Sequence, residues 1–203
     1  MKRLLAIIFL AIIVIGAWFL FFKKNSPSVK SEESHKVAVT KHSEEFNKSI
    51  DNVIDAYINL KNTFVDWDST AAKQMAAQFI ASTDSLKLDE IQKNDSSIYA
   101  IVSQNVSDLK ANAEPILKEN DIAEMRQDFS MISENLYPLL KTVGYEGPKL
   151  YWQNCPMAFG DDKPANWLSK TSKIENPYLG RKHPEYKSAM VSCGENMDSL
   201  YLK

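Results

Sequence analysis

DIAEMRQDFSMISENLYPLLKTVG, residues 121–144, decides the fold. Ile122, Met125, Phe129, Ile132, Leu136, Leu139 and Val143 recur at steps of three and four residues. That spacing lays one apolar stripe along an α-helix. Asp121 with Glu124 makes a capping-box-like start, and Gly144 is a natural C-terminal cap. Pro138 is expected to bend the helix locally.

Upstream the same period repeats. Ser43 can cap a helix whose first turn holds Glu44 and Glu45, and whose stripe is Phe46, Ile50, Val53, Ile54, Tyr57, Leu60 and Phe64. Asp66-Trp67-Asp68-Ser69 interrupts the pattern and offers the next cap. Ala72, Met75, Ala76, Phe79 and Ile80 form a shorter stripe. After the polar passage Lys93-Asn94-Asp95-Ser96 comes a third, with Ile98, Ile101, Val102, Val106, Leu109 and Ala113, which Pro115 is expected to end or kink. Four stripes with short connections predict an all-α domain over 43–203, an antiparallel four-helix bundle. After Gly147-Pro148 the composition turns to Pro, Asn, Asp and Ser. Leu150-Tyr151-Trp152 is strand-like, but the remainder reads as an irregular cap with little regular structure. Trp152, Phe159, Trp167, Leu168, Ile174 and Tyr178 are expected to pack it on the bundle.

Leu4 to Phe22 is a run of 19 residues without a charge. As a helix it reaches about 28 Å, enough to cross a bilayer core. Residues 1–24 therefore read as a membrane anchor, with a cleaved signal as the alternative. Lys2 and Arg3 make the natural cytoplasmic tip, which places the rest outside a bacterial inner membrane, in the periplasm. Residues 25–42 are polar and aperiodic, a flexible linker, and its His35 and His42 are given no role. Lys and Arg number 24 against 26 Asp and Glu, and four of the basic residues flank the apolar run. The remainder is acidic, which disfavours nucleic acid as a partner. No phosphate-binding glycine loop, His-Glu-x-x-His, nucleophile elbow or haem motif occurs, so no enzyme is expected.

Both cysteines lie in the last quarter, each beside a methionine: Cys155-Pro156-Met157 and Met190-x-x-Cys193-Gly194. Pro156 biases Cys155 to an extended conformation, in which residues i and i+2 face one side. Met190 and Cys193 can meet across one turn. Thiols beside thioethers are ligands for a soft ion such as Cu(I). A structural disulfide between Cys155 and Cys193 accounts for the cysteines equally well, and spacing does not separate the two readings. His183 is a possible accessory ligand, and a redox-active pair is disfavoured because Cys-x-x-Cys is missing.

Cys155-Pro156-Met157-Ala158, Trp167-Leu168-Ser169, Ile174-x-Asn176-Pro177-Tyr178-x-Gly180 and Met190-x-x-Cys193-Gly194 form an ordered set. Ala56-Tyr57-x-x-Leu60-Lys61 and Arg126-Gln127-x-Phe129-x-x-Ile132-Ser133 precede it. Together, over about residues 44–196, they resemble a bacterial domain family of unknown function. That family is often appended to, or encoded with, periplasmic adaptor proteins of copper and silver efflux pumps. The resemblance implies an exported helical domain with a role in heavy-metal handling and an efflux adaptor or pump as partner. It also implies that Cys155, Met157, Met190 and Cys193 are the family's Cys-x-Met and Met-x-x-Cys pairs. Between Gly180 and Met190 this chain is longer than the resemblance leads one to expect.

Overall fold

The computed structural model describes residues 42–201. The apolar run 4–22 and the linker as far as residue 41, with His35, lie outside the described residues. Among the described residues no helix is long and apolar enough to cross a membrane.

Side-chain caps set the starts of the four long helices, those at Ser43, within Asp66–Ser69 and at Asp121 as the sequence leads one to expect. Ser43 Oγ accepts from Phe46 N–H at 3.1 Å and opens α1, Glu44–Val65. Asp68 accepts from Ala71 N–H at 2.9 Å and opens α2, Ser69–Asp84. A short α3, Asp89–Asn94, follows in the passage read as polar connection. Asp95 caps α4, Ser96–Lys118, and Asp121 caps α5, Ile122–Val143. Each cap satisfies one or two of the N–H groups that a helix start leaves without partners. At the far end of α5, Gly144 takes a left-handed conformation (φ 70°). Gly144 and Tyr145 N–H then bond back to Lys141 and Leu140 carbonyls, a Schellman closure.

Of the two outcomes expected at Pro115, an end or a kink, the helix does not end there but runs on to Lys118. A proline forfeits one backbone bond, here that to the Ala111 carbonyl. Ile116, fully buried one residue later, ties this last turn to the core. Pro138 likewise stands inside a continuous α5.

The long helices pack in the order α1, α2, α4, α5. Ala72, Ala76 and Ala113 are fully buried, and such small side chains let helix backbones approach closely. Between α1 and α5 the space is filled by rings: Tyr57 stacks on Phe129 at 5.2 Å, and Phe64 meets Phe129 at 5.1 Å. Burying a phenylalanine stabilises by about 1.5–3 kcal/mol, so this aromatic seam is a main contributor to the core.

The C-terminal cap departs from the all-α expectation. Its centre is an antiparallel sheet of β1 (Leu150–Cys155), β2 (Ala165–Ser169) and β3 (Glu195–Leu200), in the order β2-β1-β3. Trp152 pairs with Leu168 on one side and with Asp198 on the other, and a register shift follows between Trp152 and Gln153. Trp167 and Leu168 are buried as expected, whereas Phe159 and Ile174 are half-buried. The sheet is bonded to the bundle through Tyr57. Its hydroxyl accepts from Leu168 N–H at 3.0 Å and lies 2.7 Å from Ser133 Oγ. Ser133 spends its own proton on the Phe129 carbonyl at 3.0 Å, so Tyr57 donates to Ser133. Burial, only partly offset by these bonds, holds the Tyr57 phenol far above its ordinary range.

His42 was read as a solvated linker residue, but it is held. Its Nδ1 lies 2.6 Å from Glu90 Oε1 and its Nε2 lies 2.6 Å from the Val143 carbonyl at the end of α5. Ser43 N–H adds a bond to the other Glu90 oxygen at 3.1 Å. Burial pushes the Glu90 carboxyl up, but the bonds from Ser43 and His42 outweigh it and hold the group below its ordinary value.

Candidate functional site

Cys155 ends β1, fully buried, with Ala165 of β2 as its pairing partner. Cys193 arrives from 38 residues later on a tight turn, in which its N–H bonds to the Met190 carbonyl at 2.9 Å. Asn176 holds that turn in place. Its Nδ2 donates to the Cys193 carbonyl at 2.8 Å, and its backbone N–H donates to the Val191 carbonyl at 2.8 Å. Its Oδ1 accepts from Tyr178 and Leu179 N–H, at 2.7 and 3.0 Å. Asn176 is completely buried, so each of these bonds replaces a desolvated group that would otherwise lack a partner.

Gly194 completes the approach. It has φ 138°, and a Cβ there would stand 2.6 Å from the Asn154 carbonyl oxygen and 2.9 Å from the Trp167 ring. Only glycine lets the chain after Cys193 lie this close to β1. The outcome is a Sγ–Sγ separation of 2.8 Å between Cys155 and Cys193, both free thiols, one donating to the other. Burial first, and then the hydrogen bond and charge of Cys155, push the Cys193 thiol up from 9.0 to about 12. Cys193 therefore keeps its proton at neutral pH, closely apposed to Cys155.

The other sulfurs are placed differently. Met190 shares the turn with Cys193 and is half-buried against the core. Met157, just beyond β1, lies on the wall of a separate cavity of about 890 Å³. His183 lines the same cavity, its ring 5.1 Å from that of Trp67 and 4.8 Å from that of Tyr186. The His183 Nδ1 accepts from Glu185 and Tyr186 N–H. Among the described residues no group of three or more His, Cys, Asp or Glu is placed to hold a metal ion, so His183 does not join the two cysteines in one.

The two cysteines were singled out from sequence, whereas the parts that bring them together were not. Asn176 and Gly180 were legible only as members of a motif, and Tyr178 as a residue expected to pack the cap on the bundle. Gly180 (φ 52°) runs so close to the end of α1 that a Cβ would stand 2.9 Å from the Phe64 carbonyl oxygen. The next residue, Arg181, donates its N–H to the Val65 carbonyl at 2.7 Å. The Asn-Pro-Tyr-x-Gly segment thus ties the α1 end to the Cys193 turn. No local sequence signal marks it, because the burial of Asn176 and its bonds to the Cys193 turn are tertiary.

A family described as "Protein of unknown function (DUF3347)" matches residues 53–146. The match runs from α1 to the residues just after α5; the sheet and both cysteines lie outside it. No curated protein matches the chain, and no solved structure does.

Proposed function

We propose that this chain is a non-catalytic soft-metal handling module, tethered to a bacterial inner membrane through residues 4–22 with its folded domain in the periplasm. Its cargo is an ion of the Cu(I) or Ag(I) type, buffered or handed to an efflux adaptor or pump. The observation that carries the reading is the convergence of Cys155 and Cys193, brought within 2.8 Å by a turn that also contains Met190. Two thiolates would supply most of the affinity, and the thioether of Met190, on the same turn as Cys193, would select for a soft ion, whereas Met157 lies on the wall of the separate cavity. The donor set fits such a cargo: among the described residues it is sulfur alone, without a carboxylate or imidazole to favour a harder metal. Loading releases the thiol protons, so affinity rises with pH.

A competition titration of the reduced protein with a Cu(I) chelator tests this. One ion per chain is expected, with affinity lost in Cys155→Ser and weakened in Met190→Leu. Unchanged binding in both variants removes this site from consideration.

A second reading is favoured by the same distance together with the burial of Cys155: the pair closes as a disulfide that staples the cap of an interaction domain. The readings are compatible if the metal enters the reduced form. Mass spectrometry of protein isolated without reductant separates them, because a quantitative Cys155–Cys193 bond with no metal affinity after reduction supports the staple alone.

A further inference from the structure

The cavity of about 890 Å³ lies away from the dithiol, walled by α5, the turn after β1 and the long segment between Gly180 and Met190. Its size is that of a small-molecule pocket. One side is apolar and aromatic, with Met131, Phe159, Tyr178 and Tyr186. Arg126 of α5 also lines it, and it is only 3% exposed.

A charged side chain is almost never this buried without a counter-charge. Arg126 forms no ion pair among the described residues. Its Nη2 donates to the Phe64 carbonyl at 3.2 Å, its Nε has no partner, and its guanidinium lies 3.3 Å from the centroid of the Trp67 ring. Trp67 is itself held at φ 63°, a conformation that bulky residues rarely adopt. The guanidinium is thus fixed in a plane, desolvated and short of an anion. Burial lowers its proton affinity to about 9 with no carboxylate to offset it. A planar guanidinium with an open N–H matches the oxygens of a carboxylate or a phosphate, and the apolar, aromatic wall beside it favours an organic acid.

We propose that this cavity binds a small organic acid, its carboxylate on the Arg126 guanidinium and its apolar body against Phe159, Tyr178 and Tyr186. The segment from Arg181 to Ala189 supplies Tyr186, His183 and Pro184 to the wall. The site is independent of the dithiol and of any metal.

The test is a set of matched probes followed by NMR on the full chain: phenylacetate, 3-phenylpropionate and hexanoate, each beside its neutral amide. Saturable shifts of cavity signals, such as the Trp67 indole and the Met131 methyl, are expected for an acid and at least tenfold weaker for its amide. Arg126→Met should remove the acid preference, and Tyr186→Ala should weaken acid and amide alike. The acid-against-amide comparison stands on the wild-type protein, even if Arg126→Met fails to fold. Equal binding of acids and amides, retained acid preference in Arg126→Met, or no saturable shift from any acid overturns the proposal.

Discussion

Closing the Cys155–Cys193 pair should raise the thermal stability of the domain by a large and calculable amount. The two thiols are 38 residues apart in sequence, yet their sulfurs already touch, so no rearrangement of β1 or of the Cys193 turn is needed. In the chain-entropy description, a loop of that length removes about 4 kcal/mol from the freedom of the unfolded state. For a domain of this size that corresponds to a rise in Tm of roughly 10 °C. Calorimetry of the oxidised and reduced protein measures it, with Cys193→Ser as the control in which the difference vanishes. Oxidised and reduced forms that melt together, or an oxidised form that melts lower, would refute the argument that the fold presents these thiols ready to join. The reduced form carries a second signature. The folded Cys193 keeps its proton up to about pH 12, whereas an unfolded cysteine loses it near 9.0. The stability from this group is therefore complete below pH 9.0 and declines as pH rises through that window, a slope that Cys193→Ser should lack.

Tyr57→Phe leaves the buried Leu168 N–H without its acceptor and should cost about 1–3 kcal/mol in urea unfolding; a change within error would mean that the sheet does not depend on this link. Gly194→Ala must move the Cys193 turn off β1, because its Cβ would lie 2.6 Å from the Asn154 carbonyl. Air oxidation to the disulfide should slow markedly, and an unchanged rate counts against the placement of the turn. The Glu90 carboxyl is held below 4.5, so its contribution to stability is full above that pH and is lost as pH falls through the lowered value. Glu90→Gln should flatten this acid limb of the stability profile, and an unaltered limb shows that the bonds from Ser43 and His42 are immaterial.

The helices were legible because their signals are local. The stripe from Ile122 to Val143 and the caps at Ser43, Asp68 and Asp121 need only their neighbours in sequence to be read. Pro115 does not end its helix because its helix-breaking tendency is local, while the burial of Ile116 that carries the helix past it is tertiary. Beyond the strand-like Leu150-Tyr151-Trp152, which begins β1, the sheet escaped notice for a related reason. β3, with Glu195, Asn196 and Asp198, is an exposed edge strand with no apolar alternation, and only its pairing to β1 makes it a strand. His42 looked like linker because its partners, Glu90 and Val143, are 48 and 101 residues away. The site divides along the same line. Cys155 and Cys193 announce their chemistry by type, but their meeting depends on Asn176 and Gly194, and the role of Arg126 depends on a cavity that no spacing rule reveals.

The most direct test of the central claim is X-ray absorption at the copper edge of the reduced protein carrying one equivalent of Cu(I). The account predicts a shell of sulfur only, losing scatterers in Met190→Leu and collapsing in Cys155→Ser and Cys193→Ser. A shell of nitrogen or oxygen, or a spectrum indifferent to both cysteine substitutions, would contradict it.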